Sequence, residues 1–172
     1  MTTERTAAFD FWGPKTLVGP QLVVGDPAPA FTLVAAGNTE VSSTAFAGKP
    51  LVISVVPSLD TDTCNRQTKR FNDAAATIGE RATFVTVSAD LPFAQERFCG
   101  AEAITAMQVL SDHRSMHFGD AYGTHIKELR FESRAAFVID ADGMICYAEY
   151  LPHPGLEPDY DAVLAALHTT LG

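Results

Sequence analysis

The sequence predicts an α/β fold in which a mixed central β-sheet is flanked by helices and preceded by an N-terminal β-hairpin. Three observations carry that expectation. Residues 51–56 (LVISVV) and 82–90 (ATFVTVSAD) are short, β-branched runs that suit strands buried on both faces of a sheet. Between them, Phe71, Ala74, Ala75 and Ile78 recur at helical spacing, and Gly79 sits where a C-terminal cap belongs, so the segment reads as a β-α-β unit. Residues 134–150 hold two further strands joined at Asp142-Gly143, a strong hairpin signal.

The remaining elements follow in chain order. Gly13-Pro14 punctuates a short N-terminal hairpin, and Pro27 and Pro29 precede a strand in which Phe31 and Leu33 alternate. Residues 91–103 read as a short helix, 107–112 as a strand, and 157–171 as a last helix. In that helix Pro158 falls in the first turn beside Asp159 and Asp161, while Tyr160, Val163, Leu164, Leu167 and Leu171 share one face. This order favours a thioredoxin-like domain over a doubly wound nucleotide-binding fold, and neither GxGxxG nor GxxxxGK[ST] is present.

Composition narrows the function classes. The chain has 172 residues, is 47% hydrophobic and 19% charged, and is read as one domain spanning residues 1–172. With 12 Lys and Arg against 21 Asp and Glu the net charge is −9, and no basic cluster is available for nucleic acid or an anionic membrane. Neither a secretory leader nor a membrane-spanning run is visible, so a cytoplasmic location is expected. Three dispersed cysteines, Cys64, Cys99 and Cys146, do not make a secreted disulfide framework.

Cys64 is the residue with chemical promise. It lies between the carboxyl end of a buried strand and the start of a helix, where open α/β sheets place their sites. With Thr61 or Asp62 as the N-cap, Cys64 falls in the first turn, where unpaired N–H groups and the helix dipole favour a thiolate.

Here the chain resembles a known family. Pro57-x3-Thr61-x2-Cys64 matches the peroxiredoxin signature around the peroxide-attacking cysteine, and SLDTDTCNRQTKRFN is similar to the thiol peroxidase branch of that family. ADLPFAQERFCGAE resembles the segment that carries the branch's resolving cysteine, and GDPAPAFTL and RAAFVID also fit. The resemblance implies that Cys64 is the peroxidatic cysteine, that Thr61 hydrogen-bonds thiolate and peroxide, that Pro57 shields the pocket, and that Arg134 completes the site. It implies reduction of hydrogen peroxide and organic hydroperoxides with thioredoxin as reductant, in a homodimer, without cofactor or metal.

The chemistry makes sense of that set. Thiolate sulfur attacks one peroxide oxygen and the other leaves as alkoxide or hydroxide, so donors must meet charge developing on oxygen. Acidifying a thiol is by itself a small gain: moving a pKa from about 8.5 to about 6 raises the thiolate fraction at neutral pH roughly 30-fold. Nucleophilicity falls about 13-fold over the same interval, leaving a net gain of about 2-fold. The oxygen-stabilising groups must supply most of the acceleration. Asp62 and Thr63 depart from the small and apolar residues expected there, and Asp62 is read as capping the helix and facing water, since turned inward it would oppose a thiolate.

Cys99 admits three readings: a disulfide staple worth roughly 4 kcal/mol on chain entropy, a packed apolar side chain, or a resolving thiol. The resemblance implies the last. A bridge requires Cα atoms about 4.4–6.8 Å apart, so local unwinding of both helical segments must accompany turnover if the reduced protein holds them farther apart. Cys146 reads as a packed strand residue. The absence of CxxC counts against a dithiol reductase and a zinc ribbon. His113-x3-His117 is metal-like only on one helix face and without further ligands reads as surface; Arg114 between them either supports the site indirectly or is an exposed arginine. Phe93 and Phe98 are either an apolar rim admitting organic peroxides or core. Two other functions compete: a peroxide-sensing switch acting through partner binding, and a thioredoxin-like dithiol oxidoreductase.

Overall fold

The computed structural model describes residues 2–172. The first hairpin pairs β1 (Glu4–Asp10) with β2 (Pro14–Val18) and turns through Phe11–Gly13, where Gly13 N–H donates to Asp10 Oδ1 at 3.0 Å. Two short strands, β8 (His125–Ile126) and β9 (Phe131–Glu132), extend it to a four-stranded sheet ordered β1-β2-β8-β9. At two residues each they are too short to show a period in sequence.

The larger sheet has seven strands. β5 (Leu51–Val55) and β6 (Thr83–Ser88) lie at its centre, β7 (Gln108–Ser111) is parallel to β6, and β10 (Arg134–Ile139) runs antiparallel to β5. The order is β11-β10-β5-β6-β7-β3-β4, with β3 (Thr32–Ala35), β4 (Thr39–Ser42) and β11 (Ile145–Leu151) completing it. β3 and β4 form a further hairpin, turned at Gly37-Asn38 with both residues at positive φ. Between β10 and β11, Gly143 turns at φ 82°, as Asp142-Gly143 predicts.

The alternating side chains of the central strands divide the core. Ile53, Val55, Val85, Val87, Ala135 and Phe137 face one side and pack on Phe31, Phe118 and Tyr122. Val52, Phe84, Ala136 and Val138 face the other and meet Phe71, Ala75 and Ile78 of α1 (Asp62–Ile78) and Val163 and Leu167 of α4 (Tyr160–Thr170). α1 ends at Gly79, which caps it at φ 65°. α4 begins later than its sequence suggests: the Asp159 carboxylate accepts from Ala162 N at 3.0 Å and so makes Asp159 the N-cap, leaving Pro158 outside the helix. α2 (Pro92–Glu102) has Pro92 as its first residue. α3 (His117–Tyr122), at six residues, is too short to display periodicity in the sequence.

A buried acid pair secures α3. Asp112 accepts from the N–H groups of Phe118 and Gly119 at 3.2 and 2.9 Å, and it neighbours Glu132, which is 0% exposed. Glu132 Oε2 accepts from Thr124 Oγ1 at 2.5 Å, whereas Oε1 has no donor. Burial, then the neighbouring Asp112, push the Glu132 carboxyl well above the ordinary range. A carboxyl that keeps its proton is a donor for the neighbouring Asp112 carboxylate.

Candidate active site

The register of β5 against β10 builds the site. Val55 faces Ala135, so Arg134 stands beside the chain where it leaves β5 toward Pro57 and the start of α1. Thr61 is the N-cap residue of α1, which places Cys64 in the first turn. The structure leaves Cys64 0% and Arg134 1% exposed, and Arg134 Nη2 donates to Cys64 Sγ at 3.1 Å.

Arg134 is held from several sides. Its Nε and Nη2 both donate to Pro154 O, at 3.1 and 2.7 Å, and Nη1 donates to Gln67 Oε1 at 2.6 Å. Gln67 in turn donates from Nε2 to Ser54 Oγ on β5 at 2.8 Å. Four of five guanidinium hydrogens are thereby used, leaving one on Nη1. Among the described residues no carboxylate lies within ion-pair distance of Arg134. A buried cation without a counter-charge is costly, and the sulfur is the one partner here that can become an anion.

Thr61 behaves differently from its expected role. Its side chain is exposed and its hydroxyl donates to Ser58 O at 3.2 Å, with no side-chain cap on the helix. The N–H groups of the first turn are thus left without a side-chain acceptor. Asp62 is the first helical residue rather than the cap; it is exposed, where an acid complements the positive end of the dipole. Pro57 is buried in the turn after β5.

Cys99 is a half-buried free thiol on α2, and like Cys64 it belongs to the apolar packing around Val56, Leu59, Phe98, Ile104 and Val109. Burial pushes its thiol up, which keeps it protonated while α2 is intact. Phe98 therefore packs beside Cys64, whereas Phe93 is 78% exposed, so the two do not form a common rim. A groove of about 290 Å³ lies between the start of α1 and the C-terminal half of α2, lined by Leu59, Thr61, Asp62, Asn65, Arg97 and Phe98.

The other candidates lie elsewhere. Cys146 is half-buried on β11 with Sγ 3.3 Å from Val138 O, and burial and Asp140 push its thiol up. Arg114 pairs with Glu40 at 3.0 Å and makes no contact with the site. His113 precedes α3 and meets Ser111 Oγ at 2.9 Å, while His117 begins the helix, so the two do not share a helical face. Gln67 escaped the sequence reading although it follows Cys64 by three residues, the spacing that shares a helix face. Pro154 contributes only a carbonyl, which no side-chain pattern advertises.

A mixed sheet with a lone cysteine at a helix start, facing a buried arginine, defines a thioredoxin-like redox protein. The redoxin family model matches residues 23–164, and the chain belongs to that family, in the thiol peroxidase branch of the peroxiredoxins. Thiol peroxidase of Bacillus subtilis is 48% identical over 154 residues, covering 90% of this chain and 92% of that protein. Thiol peroxidase of Staphylococcus aureus (strain MRSA252) is 45% identical over 154 residues, covering 90% and 93%. A peroxiredoxin-like protein from Aquifex aeolicus matches with a TM-score of 0.87 at 37% identity over 98% of each chain. Thiol peroxidase from Chromobacterium violaceum shares the fold, with a TM-score of 0.80 at 23% identity over 90% and 91%.

Proposed function

We propose that the protein is a thiol-dependent peroxidase in which Cys64 is the peroxidatic and Cys99 the resolving cysteine. The observation that carries this reading is the 3.1 Å contact between Arg134 and the sulfur, both buried with no carboxylate partner among the described residues. Cys64 thiolate attacks the nearer oxygen of a hydroperoxide, the O–O bond breaks, and the far oxygen leaves with the bonding pair and takes up a proton. The products are Cys64 sulfenic acid and water or an alcohol.

Arg134 has two tasks in that step. Nη2 donates to the attacking sulfur, and the remaining Nη1 hydrogen meets charge on oxygen as the bond breaks. Gln67, Ser54 and Pro154 fix the guanidinium so that no reorganisation is needed at the moment of reaction. The uncapped first turn offers its N–H groups to the same oxygens, Pro57 shields the sulfur, and the Thr61 hydroxyl joins them by leaving Ser58 O when peroxide enters from the groove.

Cys99 then attacks the sulfenic sulfur and expels water, forming an intramolecular disulfide that a thioredoxin dithiol reduces to two thiols. Both cysteines are free and packed in separate helices, so the first turn of α1 and the end of α2 unwind to let them meet. Hydrogen peroxide and organic hydroperoxides are the substrates, the cytoplasm is the compartment, and a homodimer is the working form. Among the described residues, no helix is long and apolar enough to cross a membrane.

Steady-state assays of the wild type, Cys64→Ser and Cys99→Ser test the assignment. Cys64→Ser loses peroxide turnover altogether, and Cys99→Ser consumes about one peroxide per chain before stalling as a sulfenic or overoxidised acid. Unchanged turnover in either variant rejects it. Turnover by thioredoxin also separates an enzyme from a redox switch, and dependence on peroxide separates it from a dithiol reductase.

A further inference from the structure

Asp90 lies in the link between β6 and α2 and joins the two segments that carry the working cysteines. Its Oδ1 accepts from Ser58 Oγ at 2.8 Å, and Oδ2 accepts from Leu59 N at 2.9 Å, so one carboxylate fixes the loop leading into α1. Oδ2 also accepts from Ser88 Oγ at 2.7 Å. Ser88 Oγ accepts in turn from Gln95 Nε2 at 3.0 Å, and that amide donates to Leu110 O on β7 at 2.9 Å. Ser88 and Gln95 are 0% and 2% exposed, so these are buried contacts that bulk water does not replace. Gln95 and Cys99 are four residues apart on α2 and share a helix face.

The arrangement is tense on the α2 side. Gln95 Oε1 is buried without a donor, so the amide is held by its nitrogen alone. No lysine, arginine or histidine pairs with Asp90 among the described residues, so its acceptor capacity goes to the loop and to Ser88.

We propose that Asp90 is a positioning residue that sets the balance between the closed arrangement, in which Cys64 meets Arg134 and peroxide, and the open one, in which Cys64 reaches Cys99. It acts through Ser58 and Leu59 on the peroxidatic loop and through Ser88 and Gln95 on the resolving helix. This inference rests on the roles proposed for Cys64 and Cys99. Loss of the carboxylate weakens both holds at once, which slows the first step and hastens the second.

The test separates those steps in the full chain. Reduced wild type and Asp90→Ala are mixed with hydrogen peroxide, quenched with a thiol alkylator and weighed by mass spectrometry, giving the rates of Cys64 oxidation and of disulfide closure. Asp90→Ala is expected to oxidise about 10-fold more slowly and to close its disulfide about 10-fold faster, the effect of removing charge-assisted hydrogen bonds from one of two states. Inactivation by excess peroxide then requires a higher peroxide concentration. Ser58→Ala and Gln95→Ala each cut one arm and shift the same balance less, which preserves the test if Asp90→Ala fails to fold. A purely structural role lowers the melting temperature and leaves the ratio of the two rates unchanged, and that result overturns the proposal. A wild type that forms no Cys64–Cys99 disulfide overturns the functional reading itself.

Discussion

The burial of Arg134 has to be balanced by something, because the oxygens around its guanidinium, on Gln67 and Pro154, are neutral. Lysine keeps the charge but not the planar fork that reaches Gln67, Pro154 and Cys64 together. Arg134→Lys is therefore expected to lower kcat/KM for peroxide by about 100-fold or more while leaving the fold intact. A stopped-flow rate for peroxide paired with a circular dichroism melt checks this, and a loss under threefold contradicts the role. One short motif and one strand start point to Cys64, Pro57, Thr61 and Arg134, of which the structure brings Cys64 and Arg134 into contact while the Thr61 hydroxyl turns to Ser58 O. Neither points to Gln67, Ser54 or the Pro154 carbonyl, since their value depends on where the β5–β10 register and the chain after β11 bring them.

At the scale of elements, the close of α2, which the proposed turnover unwinds, carries backbone strain. Its C-cap is Ala103 at φ 55°, a conformation that suits glycine, and its N–H and that of Ile104 both turn back to the carbonyl of Cys99. Ala103→Gly relieves the strain, with an expected gain of about 1 kcal/mol in a urea titration, and the firmer helix end slows disulfide closure. A destabilised variant contradicts that account. The Asp112–Glu132 pair sets a second expectation. Glu132 holds its proton to higher pH folded than unfolded, so the folded state binds more protons and stability falls as pH rises past about 4.5, toward the raised folded value. Asp112 and Asp120 both strengthen the effect. Gln at 132 keeps a donor for Asp112 and an acceptor for Thr124, so Glu132→Gln is expected to lose less stability than wild type as pH rises above about 4.5, and parallel curves would refute it. The long periodic elements, α1, β5, β6 and the β10–β11 hairpin, were legible in sequence. The β8 and β9 pair and α3 were not, because an acid pair and tertiary packing hold them rather than a pattern of their own.

The whole molecule turns bulk acidity into a local exception. A chain of net charge −9 buries one arginine against one sulfur at the end of its central strand, and it divides the remaining chemistry between two helices that flank the same apolar packing. The proposed homodimer gives a sedimentation mass of about twice 18.4 kDa, and a monomer at micromolar concentration contradicts it. On the proposed assignment the three free cysteines divide into a working pair, Cys64 with Cys99, and Cys146 apart on β11. The most direct measurement of that claim is a peptide map of the reduced protein after one equivalent of hydrogen peroxide, with free thiols blocked before digestion. The account predicts a Cys64–Cys99 linked peptide within a single chain and Cys146 recovered as the blocked thiol. A bridge that includes Cys146, or one that joins two chains through Cys64, contradicts it.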